Sequence, residues 1–333
     1  MEKNDDQFEE FFQGLPKNNV TGYVLAQYKG FWFDAPLLQG TLTFRQHFQQ
    51  QDSDIILATM PKSGTTWLKA LVFSIVNRKT YPDLNNHPLL FHNPHRLVPF
   101  FEINLYKNGQ IPDQDHINAI PSPRIFATHI PYQCLPNTIL EANNNSSCRI
   151  IYLCRNPLDA FTAMMHFVLR NGLLPQDGHD HQSAMSLDVP FKSFCDGTYQ
   201  YGPFWDHVLE YWEASIKDPI KVMFLKFEDL KKDINSSVKK IAEHLGCAFS
   251  PEEENGGLVE EISKLCSIDN LKNLECNQKG ETETVHKAAH NSFFRKGEVG
   301  DWANFLTPPM AERLERLMKE KFAESGVTLN IHG

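Results

Sequence analysis

The sequence predicts an α/β fold in a single domain spanning residues 1–333, with a central, mostly parallel sheet flanked by helices. Three observations carry that expectation. Ile55-Ile56-Leu57-Ala58 is a short apolar run of the kind buried in parallel sheets, and it leads through a loop into an amphipathic segment from Trp67 to Asn77. Two more buried strands are predicted at Cys148 to Cys154 and Lys221 to Lys226. Helical stretches separate the strands, which is the pattern of βαβ units.

In chain order, residues 1–18 begin polar and acidic and are expected to be flexible. The first strand runs into Met60-Pro61-Lys62-Ser63-Gly64-Thr65-Thr66-Trp67, and the following helix places Trp67, Leu68, Leu71, Val72, Ile75 and Val76 on one side. Unpaired N–H groups at a helix start, the helix dipole and the Lys62 ammonium together suit a polyanionic phosphate. The loop is not a Walker A loop, in which the Lys follows the last Gly; here Lys62 precedes Gly64. Asn143 to Ser147 reads as a polar turn before the second strand. Leu173 to Pro190 and Asn277 to Asn291 read as long loops, of a length common in lids and binding loops. A helix is predicted over Ser237 to Leu245, with Gly246 ending it, and another over Met310 to Phe322; their apolar stripes are core faces.

Composition narrows the function classes. With 41% hydrophobic residues the chain can bury a sizeable core, and its 24 Phe could also line an apolar pocket. A net charge of −9 argues against a nucleic-acid surface, so a bound polyanion must rely on local basic residues. No apolar run approaches the roughly 20 residues of a membrane span, and the start has no signal-peptide core. The 7 cysteines are scattered without a C-x-x-C pair, as expected of reduced thiols in a cytoplasmic protein. His87, His92 and His95 have no accompanying Cys or carboxylate pattern, so no metal is expected.

Pro61-Lys62-Ser63-Gly64-Thr65-Thr66-Trp67 is similar to the 5′-phosphosulfate loop of cytosolic sulfotransferases, which use 3′-phosphoadenosine-5′-phosphosulfate (PAPS). The resemblance extends from about Gly30 to Trp302. Ile150-Ile151-Tyr152-Leu153-Cys154-Arg155-Asn156-Pro157 resembles the family's second cofactor strand, and Phe294-Arg295-Lys296-Gly297-Glu298-Val299-Gly300-Asp301-Trp302 resembles its C-terminal cofactor loop. Thr128-His129 with Pro131 resembles the motif that holds the family's catalytic base. The wording of Asn93 to Phe100 and of Gly202 to His207 is that of plant members.

The resemblance implies a role for each of these residues. Lys62 and the backbone of Ser63, Gly64, Thr65 and Thr66 would hold the 5′-phosphate, with Trp67 near the adenine. Arg155 and the Phe294, Arg295, Lys296 and Gly297 loop would hold the 3′-phosphate, while Phe227 and Ser267 match further cofactor positions. His129 would deprotonate an acceptor hydroxyl, and Lys62 would neutralise charge on the departing oxygen, with no metal required. Phe100, Phe101, Tyr132, Met165 and Phe204 are expected to form an apolar pocket for a flavonoid, steroid, hydroxyjasmonate or terpenoid-derived hydroxyl compound. Animal relatives dimerise through a segment in which a Lys and a Val are replaced here by Ala303 and Pro308, so a monomer is expected.

Three positions depart from the family pattern. Ala127 stands where animal members carry Lys, Ala163 where a Ser meets the 3′-phosphate, and Phe227 where a Tyr lies near the cofactor. Two other classes stay open at this point. A P-loop kinase would need a Walker A Lys and a magnesium-binding Asp, neither of which is in place, and a catalytically inactive binder is motivated by Ala163 and Phe227 but opposed by Lys62 and His129.

Overall fold

The computed structural model describes residues 2–20, 23–141, 148–173, 187–282 and 287–329. It begins with helix α1 (Glu2–Gly14) and an antiparallel meander of β1 (Lys17–Val20), β2 (Tyr23–Tyr28) and β3 (Phe31–Phe33). The segment expected to be flexible is therefore largely in regular elements. Phe12 explains why: it is buried in the main core and gives an otherwise acidic helix something to dock with. Helix α2 (Ala35–His47) follows, started by the Asp34 carboxylate, which accepts the Leu37 N–H at 2.9 Å.

The central sheet contains β4 (Ile55–Thr59), β5 (Ile125–Thr128), β6 (Arg149–Cys154) and β7 (Val222–Lys226) in the order β5-β4-β6-β7, with every neighbouring pair parallel. All three predicted strands are present, and the Ile125-Phe126-Ala127 run supplies the fourth at one edge. Both sheet faces are covered. Ile56, Ala58, Phe126, Ile150 and Tyr152 enter one core, and Ile55, Leu57, Ile125, Ala127, Ile151 and Leu153 enter the other. That two-sided burial is the reason the strands read as unbroken apolar runs.

Helix α3 (Thr65–Asn77) and the helices Ile234–His244 and Leu258–Leu265 pack in the second core. Helix α2 and the helices Pro157–Arg170, Phe204–Lys217 and Pro308–Phe322 pack in the first. Ile234–His244 starts three residues earlier than predicted because Asp233 caps it through the Ser236 N–H, and Gly246 follows its end with φ +70°. Of the expected loops, residues 174–186 and the turn 142–147 lie outside the described residues. Within the other, Glu281–Thr282 pairs with Ala288–Ala289 as a short hairpin, and its tip at 283–286 also lies outside them.

The chain leaves β4 toward β5 on one side and returns to β6 on the other. The loops after β4 and β6 therefore flank a crevice at the carboxyl ends of the strands, where open parallel sheets bind ligands. At the opposite end, Asp54 and Arg124 form two hydrogen bonds of 2.7 Å, from Nε to Oδ1 and from Nη2 to Oδ2, both side chains being almost fully buried. Arg124→Met should cost about 3–5 kcal/mol in urea unfolding, because it strands the Asp54 carboxylate. The double variant Asp54→Leu/Arg124→Met should recover most of that loss.

Candidate active site

The loop between β4 and α3 is shaped by two left-handed backbone positions, Lys62 at φ +68° and Gly64 at φ +109°. For Lys62 this conformation is strained, and strain of that kind collects at binding sites. Gly64 tolerates its φ, and a Cβ there would come within 2.9 Å of Phe227 and 3.1 Å of Leu153. Gly64 is also the cap of α3 and offers no side-chain acceptor, so the first helical N–H groups face the crevice without a capping partner. Ser63 is bent into the protein: its N–H donates to the Met60 carbonyl, and its buried Oγ has no partner.

Lys62, Gly64, Thr65, Thr66 and Trp67 line one cavity of about 450 Å³ together with Arg155, Phe227, Phe294, Arg295 and Gly297. Trp67 stands edge-on to Phe227 at 5.3 Å, and its buried Nε1 lacks a partner. Burial, then the nearby Arg155 and Arg295 charges, lowers the Lys62 pKa to about 7. Its Nζ rests 4.0 Å from the Phe167 ring centroid and 5.4 Å from that of Phe293.

Buried acids hold the other cations. Arg155 lies 3.7 Å from Asp159, donates to the Glu298 carbonyl at 2.6 Å and covers the Phe227 ring at 4.5 Å. Asp159 is fully buried and accepts the N–H groups of Gly300 and Trp302 at 2.9 and 3.1 Å, which ties the C-terminal loop to the helix after Arg155. Asp301 receives both Arg295 Nη1 and Lys296 Nζ. Burial alone would raise its pKa, but hydrogen bonds from Lys296, Asn304 and Arg295 bring it down to about 2. Gly297 at φ +65° lets the loop pass Ile268, whose Cδ1 would be 2.0 Å from a Cβ there.

His129 lies just past β5 on the same cavity. Its Nδ1 is 2.7 Å from the Thr59 carbonyl and 3.2 Å from Thr59 Oγ1, which in turn bonds Thr65 Oγ1 at 2.6 Å. A carbonyl only accepts, so the proton sits on Nδ1 and Nε2 keeps its lone pair. Burial lowers the His129 pKa to about 3, only partly opposed by the Thr59 bond. Glu102, fully buried, fixes the backbone here by accepting the His129 N–H at 2.8 Å and the Thr128 hydroxyl at 3.0 Å.

Not every expected residue reaches the cavity. Phe100 and Met165 line it. Phe101 instead stacks on Phe44 and Phe126 in the core, Phe204 is fully buried there, and Tyr132 packs on Tyr211. The rest of the lining includes instead Tyr23, Leu25, Leu37, Ile103, Phe161, Phe194 and Tyr201. Ser267 spends its hydroxyl capping Asn270, while its neighbours Ile268 and Leu271 line the cavity. Lys296 is half exposed on Asp301 rather than part of the lining. Asp159 was missed, although an Asp four residues after Arg155 on a helix is a legible ion-pair signal. Ala163 lines the cavity, and Thr162 Oγ1 beside it is buried without a partner.

A phosphate loop on a parallel sheet, with cations on its far side and a neutral imidazole beside it, defines a group-transferring enzyme of the anionic-donor type. Residues 52–326 match the model of the sulfotransferase domain, and the chain belongs to the sulfotransferase family. Cytosolic sulfotransferase 15 of Arabidopsis thaliana is 43% identical over 330 residues, covering 98% of this chain and 88% of the relative. Cytosolic sulfotransferase 12 of the same plant is 44% identical, covering 94% and 91%. A crystal structure of an Arabidopsis thaliana protein named for steroid sulphotransferase activity superposes with TM-score 0.73 at 37% identity, covering 96% of this chain and 94% of that one. Mouse sulfotransferase SULT7A1 complexed with PAP gives 0.66 at 27% identity, covering 91% and 95%. Among the described residues no helix is long and apolar enough to cross a membrane.

The Lys62 pKa of about 7 sets a sign for anion binding. The side chain is charged below that value and neutral above it, and a bound polyanion would raise it. Affinity for adenosine 3′,5′-bisphosphate should therefore fall as pH rises from 7 to 8.5, by up to about tenfold per unit. Calorimetric titration should find that decline absent in Lys62→Met.

Proposed function

We propose that the protein transfers a sulfuryl group from PAPS to a hydroxyl of a small, largely apolar metabolite, with His129 as general base. The observation that carries this reading is the Nδ1 bond of His129 to the Thr59 carbonyl, which leaves Nε2 unprotonated on the cavity that also holds Lys62, Arg155 and Arg295. The residues fit an adenine nucleotide with phosphates at both ends. Trp67 Nε1 and Arg155 Nε, both on residues of the cavity lining, are buried polar atoms without partners among the described residues. When bound, PAPS supplies an activated sulfuryl group, whose S–O bond to the 5′-phosphate breaks as the acceptor oxygen bonds to sulfur.

His129 Nε2 takes the acceptor's proton as that bond forms. Lys62, sited beside the free N–H groups of α3, offers its charge to the oxygen that leaves. Arg155, Arg295 and the backbone at Gly297 hold the 3′-phosphate, and Trp67 with Phe227 flanks the adenine. The apolar lining at Leu25, Leu37, Phe100, Phe161 and Met165 favours a flavonoid, steroid, hydroxyjasmonate or terpenoid-derived acceptor, positioned by shape. The names of the plant relatives support a cytoplasmic location. The start of helix Pro308–Phe322, with prolines at 308 and 309, supports a monomer.

His129→Ala should lower turnover by about a hundred- to ten-thousand-fold while leaving binding of adenosine 3′,5′-bisphosphate nearly unchanged. Retention of more than a tenth of wild-type turnover would remove His129 from the mechanism. Ala163→Ser should tighten that ligand by about one to two decades through a charge-assisted bond to the 3′-phosphate. Adenosine 5′-phosphate should respond little in the same titration.

A further inference from the structure

Lys69 is a lysine with no exposed surface at all, on the second turn of α3. Its Nζ lies 3.1 Å from His95 Nδ1 and 3.4 Å from the centre of the Phe100 ring. His95 Nε2 lies 2.9 Å from Thr66 Oγ1. The imidazole is sandwiched near Phe100 and Phe293, at 5.6 and 4.3 Å between centroids. Thr66, His95 and Phe100 all line the cavity. Neither Lys69 nor His95 has any part in the roles assigned so far, and burying a lysine without function is costly.

The direction of the hydrogen bonds follows from geometry. An Nζ against the face of an aromatic ring presents N–H groups to it, since the ring face is electron-rich. Burial lowers the Lys69 pKa well below the usual lysine value, opposed by the nearby Glu102 charge. In its charged form Nζ has only N–H groups to offer, so a second one donates to His95 Nδ1. His95 therefore carries its proton on Nε2 and donates to Thr66 Oγ1. Thr66, having accepted, has its own hydroxyl hydrogen left to donate into the cavity at the start of α3. Burial, with the nearby Lys69 charge, keeps His95 neutral, in keeping with that assignment.

We propose that Lys69 and His95 are positioning residues that orient the Thr66 hydroxyl as a donor to the phosphate bound at the 5′ end of the nucleotide. The inference rests on the reading of the cavity as a PAPS site, and concerns one end of it only. The relay shares no hydrogen bond with His129, whose ring is held by Thr59. It makes the phosphate loop depend on a side chain that never touches the ligand.

The test is titration of the full chain with adenosine 3′,5′-bisphosphate and with adenosine 3′-phosphate, which lacks the 5′ group. Lys69→Met keeps the volume and removes the donor; His95→Phe keeps the stacking and removes both bonds. Each should weaken the bisphosphate about three- to tenfold and leave the 3′-monophosphate within about twofold, as loss of one hydrogen bond implies. The double variant should be no weaker than His95→Phe alone, because the two act in series. Equal losses for both nucleotides, or none, would overturn the proposal, as would additive losses. If Lys69→Met does not fold, His95→Phe decides by the same comparison. A wild type that binds neither nucleotide would overturn the donor reading, and this inference with it.

Discussion

Positive charge gathered for a polyanion has to be held together before the polyanion arrives, and that constraint organises this site. Lys62, Arg155 and Arg295 lie close enough for each arginine charge to lower the Lys62 pKa. The protein steadies the arginines with acids placed behind them. Asp159 pairs with Arg155 and grips the C-terminal loop by two N–H groups, while Asp301 holds Arg295 and Lys296. Lys62 has no carboxylate partner among the described residues and rests on aromatic rings instead. Its charge is thus the softest in the cluster, the one most readily changed by what binds.

The start of α3 joins two separate hydrogen-bonded chains. Thr65 reaches back through Thr59 to His129, and Thr66 reaches across to His95 and Lys69. Two adjacent threonines therefore connect the phosphate loop to two different histidines. Adjacent helical residues point about 100° apart, so each can serve its own neighbour without competing. The Thr59 carbonyl, at the end of β4, holds the imidazole to the same strand that launches the loop.

The legible parts of the fold were those where burial wrote an apolar run into the chain. Ile55 to Ala58 and Ile150 to Cys154 are buried on both faces and read as apolar runs, whereas α1 hides its buried residue, Phe12, among charges. In the site, the motif residues Lys62, His129, Arg155 and Arg295 share one cavity. The aromatic residues were less readable. Phe100 and Phe101 are neighbours in sequence, yet one faces the cavity and the other the stack on Phe44, because consecutive side chains diverge and composition carries no direction. Lys69 was hidden for the opposite reason: a lysine on a helix reads as a solvated position, and only the tertiary partners His95 and Phe100 reveal it.

The N-terminal meander contributes to the cavity as well as to the core. Tyr23 and Leu25 of β2, with Leu37 of α2, form part of the cavity wall, and β3 is stitched to the Tyr201–Gly202 segment by two backbone bonds through Trp32. All of these early residues precede position 52, where the match to the family domain begins. The cations Lys62, Arg155 and Arg295 on the same cavity all come from later in the chain. The lining of one cavity thus draws on a stretch that precedes the family domain as well as on the domain itself. A change at Tyr23, Leu25 or Leu37 can therefore alter the shape of the cavity without touching Lys62, Arg155 or Arg295.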